Sequence, residues 1–115
     1  MKSKVQFRVR IYRDESIAIG PGKIELLEAI AETGSISGAG RQLGMSYRRA
    51  WMLVDEMNRA LSQPAVNKAT GGAHGGGAVL TPVGEQIVRH YRAIESTARV
   101  AAAADITALT RLLAQ

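Results

Sequence analysis

Cysteine is absent from the 115 residues. That excludes disulfides, thiolate metal sites and a cysteine nucleophile, and it fits a reducing cytoplasm. No apolar run approaches the roughly 18 residues of a membrane span. The opening "MKSKVQFRVRIYRDE" alternates basic with apolar residues where a secretory signal would place an apolar block. Catalytic sets are missing as well: no Ser/His/Asp combination, no paired carboxylate motif and no metal-ligand spacing. His74 and His90 lie far apart, whereas metal ligands come in sets. The expectation is a cytoplasmic binding protein, not an enzyme, with no membrane, metal or cofactor.

Acidic residues are outnumbered. Fifteen Lys and Arg face ten Asp and Glu, for a net charge of +5 and a pI near 10.1. A basic balance suits a polyanionic partner such as nucleic acid, but it is also within the ordinary range for solubility. The charge therefore needs a shape to carry it. One domain fits this length, and its single modest core would gain from oligomerisation.

Val5, Phe7, Val9 and Ile11 alternate with Lys4, Gln6, Arg8 and Arg10, a period-two pattern that predicts a half-buried strand. "RDES" reads as a turn and "IAI" (17–19) as a short return strand. Arg8 and Arg10 share the exposed face, where charge is read as blunting a sheet edge in preference to touching phosphates. "GPG" (20–22) opens a helix with Ile24, Leu27, Ile30 and Ala31 on one face, widened by Leu26, and ends at Gly34. Ser37 is placed as N-cap of a short helix through Leu43, with Ala39 and Leu43 inward. Gly44 breaks it, and Ser46 caps the next helix, whose core stripe is Ala50, Leu53, Val54, Met57 and Leu61. Arg48, Met52, Asp55 and Arg59 lie opposite. Trp51 is expected to pack toward the core, and Pro64 to end the helix. Gly38 and Gly40 are unusual inside a helix, and close helix–helix approach is one cause.

A short helix, a glycine turn and a longer helix make a helix-turn-helix, about 36–62. "AVNKAT" and "GAVLT" form the arms of a hairpin, about 65–81, with a glycine-rich tip between them. That tip is not a nucleotide loop: no Lys-Ser/Thr follows the glycines, and they lead into "AVLT" and not into a helix. Pro82 starts a long helix, about 82–104. Val83, Ile87, Tyr91, Ile94, Ala98 and Ala101 form a stripe on it, either a coiled-coil seam or part of the chain's own core. Asp105 is placed as cap of a last short helix carrying Leu109, Leu112 and Leu113.

Strand, three helices, hairpin and helix is the order of a winged helix-turn-helix, mainly α with small β hairpins. The recognition helix would enter the major groove of double-stranded DNA N-terminus first. The candidate contacts are Ser37, Arg41, Ser46, Tyr47, Arg48 and Arg49, joined on the wing by Lys68, Thr70 and His74. Either arginine can hold a guanine edge or a phosphate. Ser37 and Ser46 serve as caps whether or not they touch DNA.

"GSISGAGRQLGMSYRRAWMLVDEMN" and "ATGGAHGGGAVLTPVG" together resemble the N-terminal DNA-binding domain of the ModE family of molybdate-responsive regulators. The likeness runs from about Leu26 to Tyr91. A weaker one, in "AETGSIS" and "LTPVGE", extends to LysR-type regulators. The resemblance implies a sequence-specific transcription regulator that dimerises through helices outside the motif, here Val83, Ile87, Tyr91, Ile94 and Ala98, on a palindromic operator. ModE-type sensors add C-terminal oxyanion-binding domains. Only about 30 mostly helical residues follow Pro82 here, so molybdate binding by this chain is not expected. "GAG" departs from the alanines usual at that place. The alternative is a protein-interaction or dimerisation module that partners a separate sensor.

Overall fold

The computed structural model describes residues 2–69 and 77–115. Two strands open the fold, β1 (Ile11–Arg13) and β2 (Ser16–Ile19), paired antiparallel with Arg13 opposite Ser16 and Ile11 opposite Ile19. The turn uses Asp14 at φ 55°, a left-handed conformation that aspartate tolerates. The strand expected over Val5–Ile11 starts only at Ile11. Its partner β2 ends at Ile19, and the chain then turns into a helix, so nothing is left for residues 5–10 to pair with. The alternation survives without the strand: Val5, Phe7 and Val9 are half-buried while Lys4, Gln6, Arg8 and Arg10 are exposed.

Helix α1 (Pro21–Thr33) starts after Gly20, with Pro21 at its first position, and stops at Gly34, whose φ is 74°. It lies against helices on several sides and against the second hairpin. Its buried arc is therefore wide and includes Ile24, Leu26, Leu27, Ala29 and Ile30. Ala31, expected on this face, is exposed in the last turn of the helix. Lys23 is only 8% exposed. Its ammonium donates to the Ile17 carbonyl and stands 3.6 Å from Glu56, tying β2 and α1 to the third helix.

Helix α2 (Ile36–Gln42) is capped by Ser35, not Ser37: the Ser35 hydroxyl accepts from the Gly38 N–H at 2.7 Å. Capping two residues earlier places Ile36 against the core and leaves Ser37 exposed in the first turn. Gly44 (φ 71°) reverses the chain into α3 (Tyr47–Ala60), which Ser46 caps by accepting from the Arg49 N–H at 3.1 Å. Ala50, Val54 and Met57 are buried, with Leu53 and Leu61 packed beside them. Gly40 is where the two helices meet: a Cβ there would lie 3.2 Å from Ala50 Cβ and 3.3 Å from the Met45 carbonyl oxygen. Gly38 has a different cause, since a Cβ would crowd the capping hydroxyl of Ser35. Helix α3 stops at Ala60, ahead of Pro64.

The second hairpin pairs β3 (Val66–Ala69) with β4 (Gly77–Leu80), Val66 opposite Leu80 and Ala69 opposite Gly77. Three groups lock it to the helices. The Asn58 side chain accepts from the Ala65 and Val66 N–H groups at 2.8 and 3.3 Å and donates to the Val66 carbonyl at 3.1 Å. The Ala78 N–H donates to the Gly34 carbonyl at 2.9 Å. Thr81 donates its hydroxyl to the Pro64 carbonyl at 2.7 Å while accepting from the Gly84 N–H at 3.0 Å, and so caps α4 (Pro82–Ala101). A Cβ on Gly84 would overlap the Ala65 carbonyl, so this helix meets the base of the hairpin with no room for a side chain. Gly84→Ala is expected to cost roughly 1–3 kcal/mol, the range for forcing a methyl into a packed site. Thermal melting should show it, and an unchanged melting temperature would contradict the contact.

The long helix ends at Ala101, before the expected 104. In α5 (Ala103–Thr110) the cap position is Ala102, and Asp105 lies in the first turn instead of capping. Leu109, Leu112 and Leu113 are exposed. The radius of gyration is 16.8 Å, against about 13 Å for a compact chain of this length. The end of α4 and α5 therefore stand away from the core.

Candidate nucleic-acid interface

Helix α3 turns a narrow stripe inward, and the three residues of its start, 47–49, are exposed. Arg48 and Arg49 are exposed at its start, and neither forms an ion pair among the described residues. Arg59, near the far end, is held by Asp55 at 2.8 Å. Trp51, expected to pack inward, is 42% exposed, and Tyr47 is 57% exposed. The reason for Trp51 is angular: it stands about 100° round the helix from Ala50, outside the arc that Ala50, Val54 and Met57 bury. Met52 is exposed as well. Two free guanidiniums beside exposed large side chains at a helix start form a surface prepared for a partner. Guanidinium can hold a guanine edge or a phosphate, and apolar groups can meet thymine methyls.

On α2, Ser37 and Arg41 share one exposed side, with the Arg41 guanidinium 3.5 Å from the Ser37 hydroxyl. The Gly40–Ala50 contact fixes this pair against α3. Lys68 is exposed on β3, across from Ala78. Thr70 and His74 lie outside the described residues. Asn58 is not among the residues that the sequence singles out, yet it bolts α3 to the wing. Its only advance signal is a polar residue next to the core position Met57.

The stripe on α4 divides. Tyr91 is 3% exposed and donates its hydroxyl to the Val9 carbonyl at 3.0 Å. Burial above all, with Glu95 adding to it, pushes the phenol's pKa up. Ile87 packs on the core, Val83 and Ala98 are half-buried, and Ile94 is exposed. Next to Tyr91, Arg92 grips both Glu28 oxygens, at 3.0 and 2.5 Å, and Glu95 at 2.6 Å. Those hydrogen bonds, to Glu28 first, raise the guanidinium's pKa further and fasten α4 to α1.

Residues 22–85 match the family model of the bacterial regulatory helix-turn-helix proteins, lysR family. The chain is 51% identical over 78 residues to the molybdenum-pterin-binding protein MopB of Rhodobacter capsulatus, covering 68% of this chain and 29% of that protein. It is 45% identical over 71 residues to the DNA-binding transcriptional dual regulator ModE of Escherichia coli K12, covering 62% and 27%. The chain thus spans less than a third of the length of these two relatives. Among solved structures, the CbnR DNA-binding domain in complex with DNA superposes with a TM-score of 0.59 at 18% identity, covering 76% of this chain and 95% of that one. Full-length LysG from Corynebacterium glutamicum gives 0.55 at 22% identity, covering 80% and 29%. At such identities these likenesses establish the shared fold.

Proposed function

The chain belongs to the lysR family of bacterial regulatory helix-turn-helix proteins, and from that premise we propose that it is the operator-reading domain of a ModE-like transcription regulator, binding duplex DNA sequence-specifically as a homodimer. The observation that carries this is the start of α3, where Arg48 and Arg49 stand exposed and free of acidic partners among the described residues. Ser46, Tyr47, Arg48 and Arg49 read or grip the major groove, Ser37 and Arg41 meet the flanking backbone, and the wing, with Lys68, Thr70 and His74, lies over the adjacent backbone. The chain acts in the cytoplasm by binding and not by catalysis. The name of the molybdenum-pterin-binding relative MopB connects the regulation to molybdenum, but molybdate recognition is not assigned to these 115 residues.

The dimer reading is supported by the projecting helices. Ile94, Val100, Leu109, Leu112 and Leu113 are exposed along α4, α5 and the residues just beyond, an apolar set that a second copy would cover. A two-fold dimer on DNA requires inverted half-sites one helical turn or a multiple apart. Selection from a random duplex pool is expected to enrich such sites, and light scattering to give two chains per duplex. A pool that shows no enrichment at low salt, with a chain that still self-associates, would favour the interaction-module reading and end the operator reading.

A further inference from the structure

The N-terminal stretch lies outside the region that matches the helix-turn-helix family, and it is built as a one-sided cationic strip. Lys2, Lys4, Gln6, Arg8, Arg10 and Tyr12 are all exposed, and none of these positions is acidic. Val5, Phe7 and Val9 between them are half-buried. The strip is held in place by its backbone: Tyr91 donates to the Val9 carbonyl at 3.0 Å, and Arg99 donates to the Val5 carbonyl at 3.4 Å while lying 5.3 Å from the Phe7 ring centre. Among the described residues, Lys2, Lys4, Arg8 and Arg10 form no ion pair. No strand exists at residues 2–10, so these charges guard no sheet edge.

An open groove of about 810 Å³ joins this strip to the recognition helix, with Arg8, Arg10 and Arg13 on one wall and Arg49 and Arg59 on the other. Lys23 also lines it, and so do the acids Asp14, Glu15 and Glu56, of which Glu56 is paired with Lys23. Cations outnumber acids six to three. We propose that residues 2–13 form a second phosphate-gripping surface, which follows the duplex backbone beyond the segment that the helix-turn-helix and wing cover. Extended chain over residues 2–10 spans about 26 Å. A line of charges that long matches a polyanion with a charge every ~3.4 Å of each strand, whereas a small anion would meet one or two of them.

The inference rests on the DNA-binding reading, and the experiment separates the two. Binding to a selected operator and to random duplex is measured over a range of salt for the full chain, for Arg8→Gln/Arg10→Gln and for Arg8→Lys/Arg10→Lys. The glutamine pair is expected to weaken binding to both duplexes by the same factor. It should lower the salt slope by about 2, so that the affinity lost between roughly 50 and 200 mM salt shrinks about tenfold. The lysine pair should keep the slope, because a phosphate contact needs the charge and not the guanidinium fork. Both side chains are exposed, so melting temperatures should coincide. A wild-type chain that binds DNA with the same slope as the glutamine pair overturns the strip alone. A wild-type chain that binds no duplex overturns the operator reading, and the strip with it.

Discussion

Replacing Arg48 and Arg49 together by alanine is expected to remove roughly 2–6 kcal/mol of binding to a selected operator, at 1–3 kcal/mol for each arginine. The figure is large because nothing within the described chain competes for these groups. Both are exposed at the start of α3, and no acid pairs with either among the described residues. For the same reason the double variant should fold normally. The cap at this end uses the Ser46 hydroxyl and the Arg49 backbone N–H, which the substitution leaves in place. The measurement is the affinity for selected and for random duplex side by side. Removing an arginine from a base edge reduces discrimination, and removing one from a phosphate weakens both affinities equally. The single variants therefore divide the two roles. Unaltered affinity on both duplexes in the double variant would show that this end of α3 does not face DNA.

How much of the fold is legible in the chain follows how local each signal is. The turn glycines Gly34 and Gly44, the Ser46 cap, and Pro82 after Thr81 depend on a few neighbouring residues, and each is found where expected. Ser35 and Ser37 show the limit of local signals. Serine caps helices at either place, and Ile36 makes the choice, because it reaches the core only if the helix starts two residues earlier than Ser37 allows. Alternation reports one-sided burial correctly from Val5 to Val9 but fails at Ile11, which is exposed; burial is in any case not pairing, and a strand can extend only as far as its partner. Trp51 stands outside the core because it lies about 100° round α3 from Ala50, and the arc that Ala50, Val54 and Met57 bury is narrower than the helical period by itself suggests. Gly84 and Asn58 both work by touching the base of the wing, and such contacts leave no period in the sequence. The arginines of the N-terminal strip gain their meaning only because the sheet expected beneath them is absent.

The largest expected loss of stability comes from Asn58→Ala. One amide makes three hydrogen bonds to the backbone at the entry to β3. Ala65 is fully buried and Val66 nearly so, so water cannot readily replace the amide. Removing it strands two N–H donors and one carbonyl, and an unsatisfied buried group costs about 1–3 kcal/mol. Some relaxation will reduce the sum, and a loss of roughly 3–5 kcal/mol is expected, a large part of a typical domain stability of about 5–15 kcal/mol. Asn58→Asp should lose less: its carboxylate still accepts from the two N–H groups but faces the Val66 carbonyl without a proton to donate. In urea unfolding the midpoint should therefore be highest for wild type, lower for Asn58→Asp and lowest for Asn58→Ala. The functional consequence follows from position. Lys68 stands two residues beyond Val66 on the strand that this amide anchors, so a variant that still folds should hold the wing less firmly and bind both selected and random duplex more weakly. If Asn58→Ala unfolds at the wild-type urea concentration, the amide is not the clamp between α3 and the wing, and the wing's placement has to come from the Ala78–Gly34 hydrogen bond, Gly84 and Thr81.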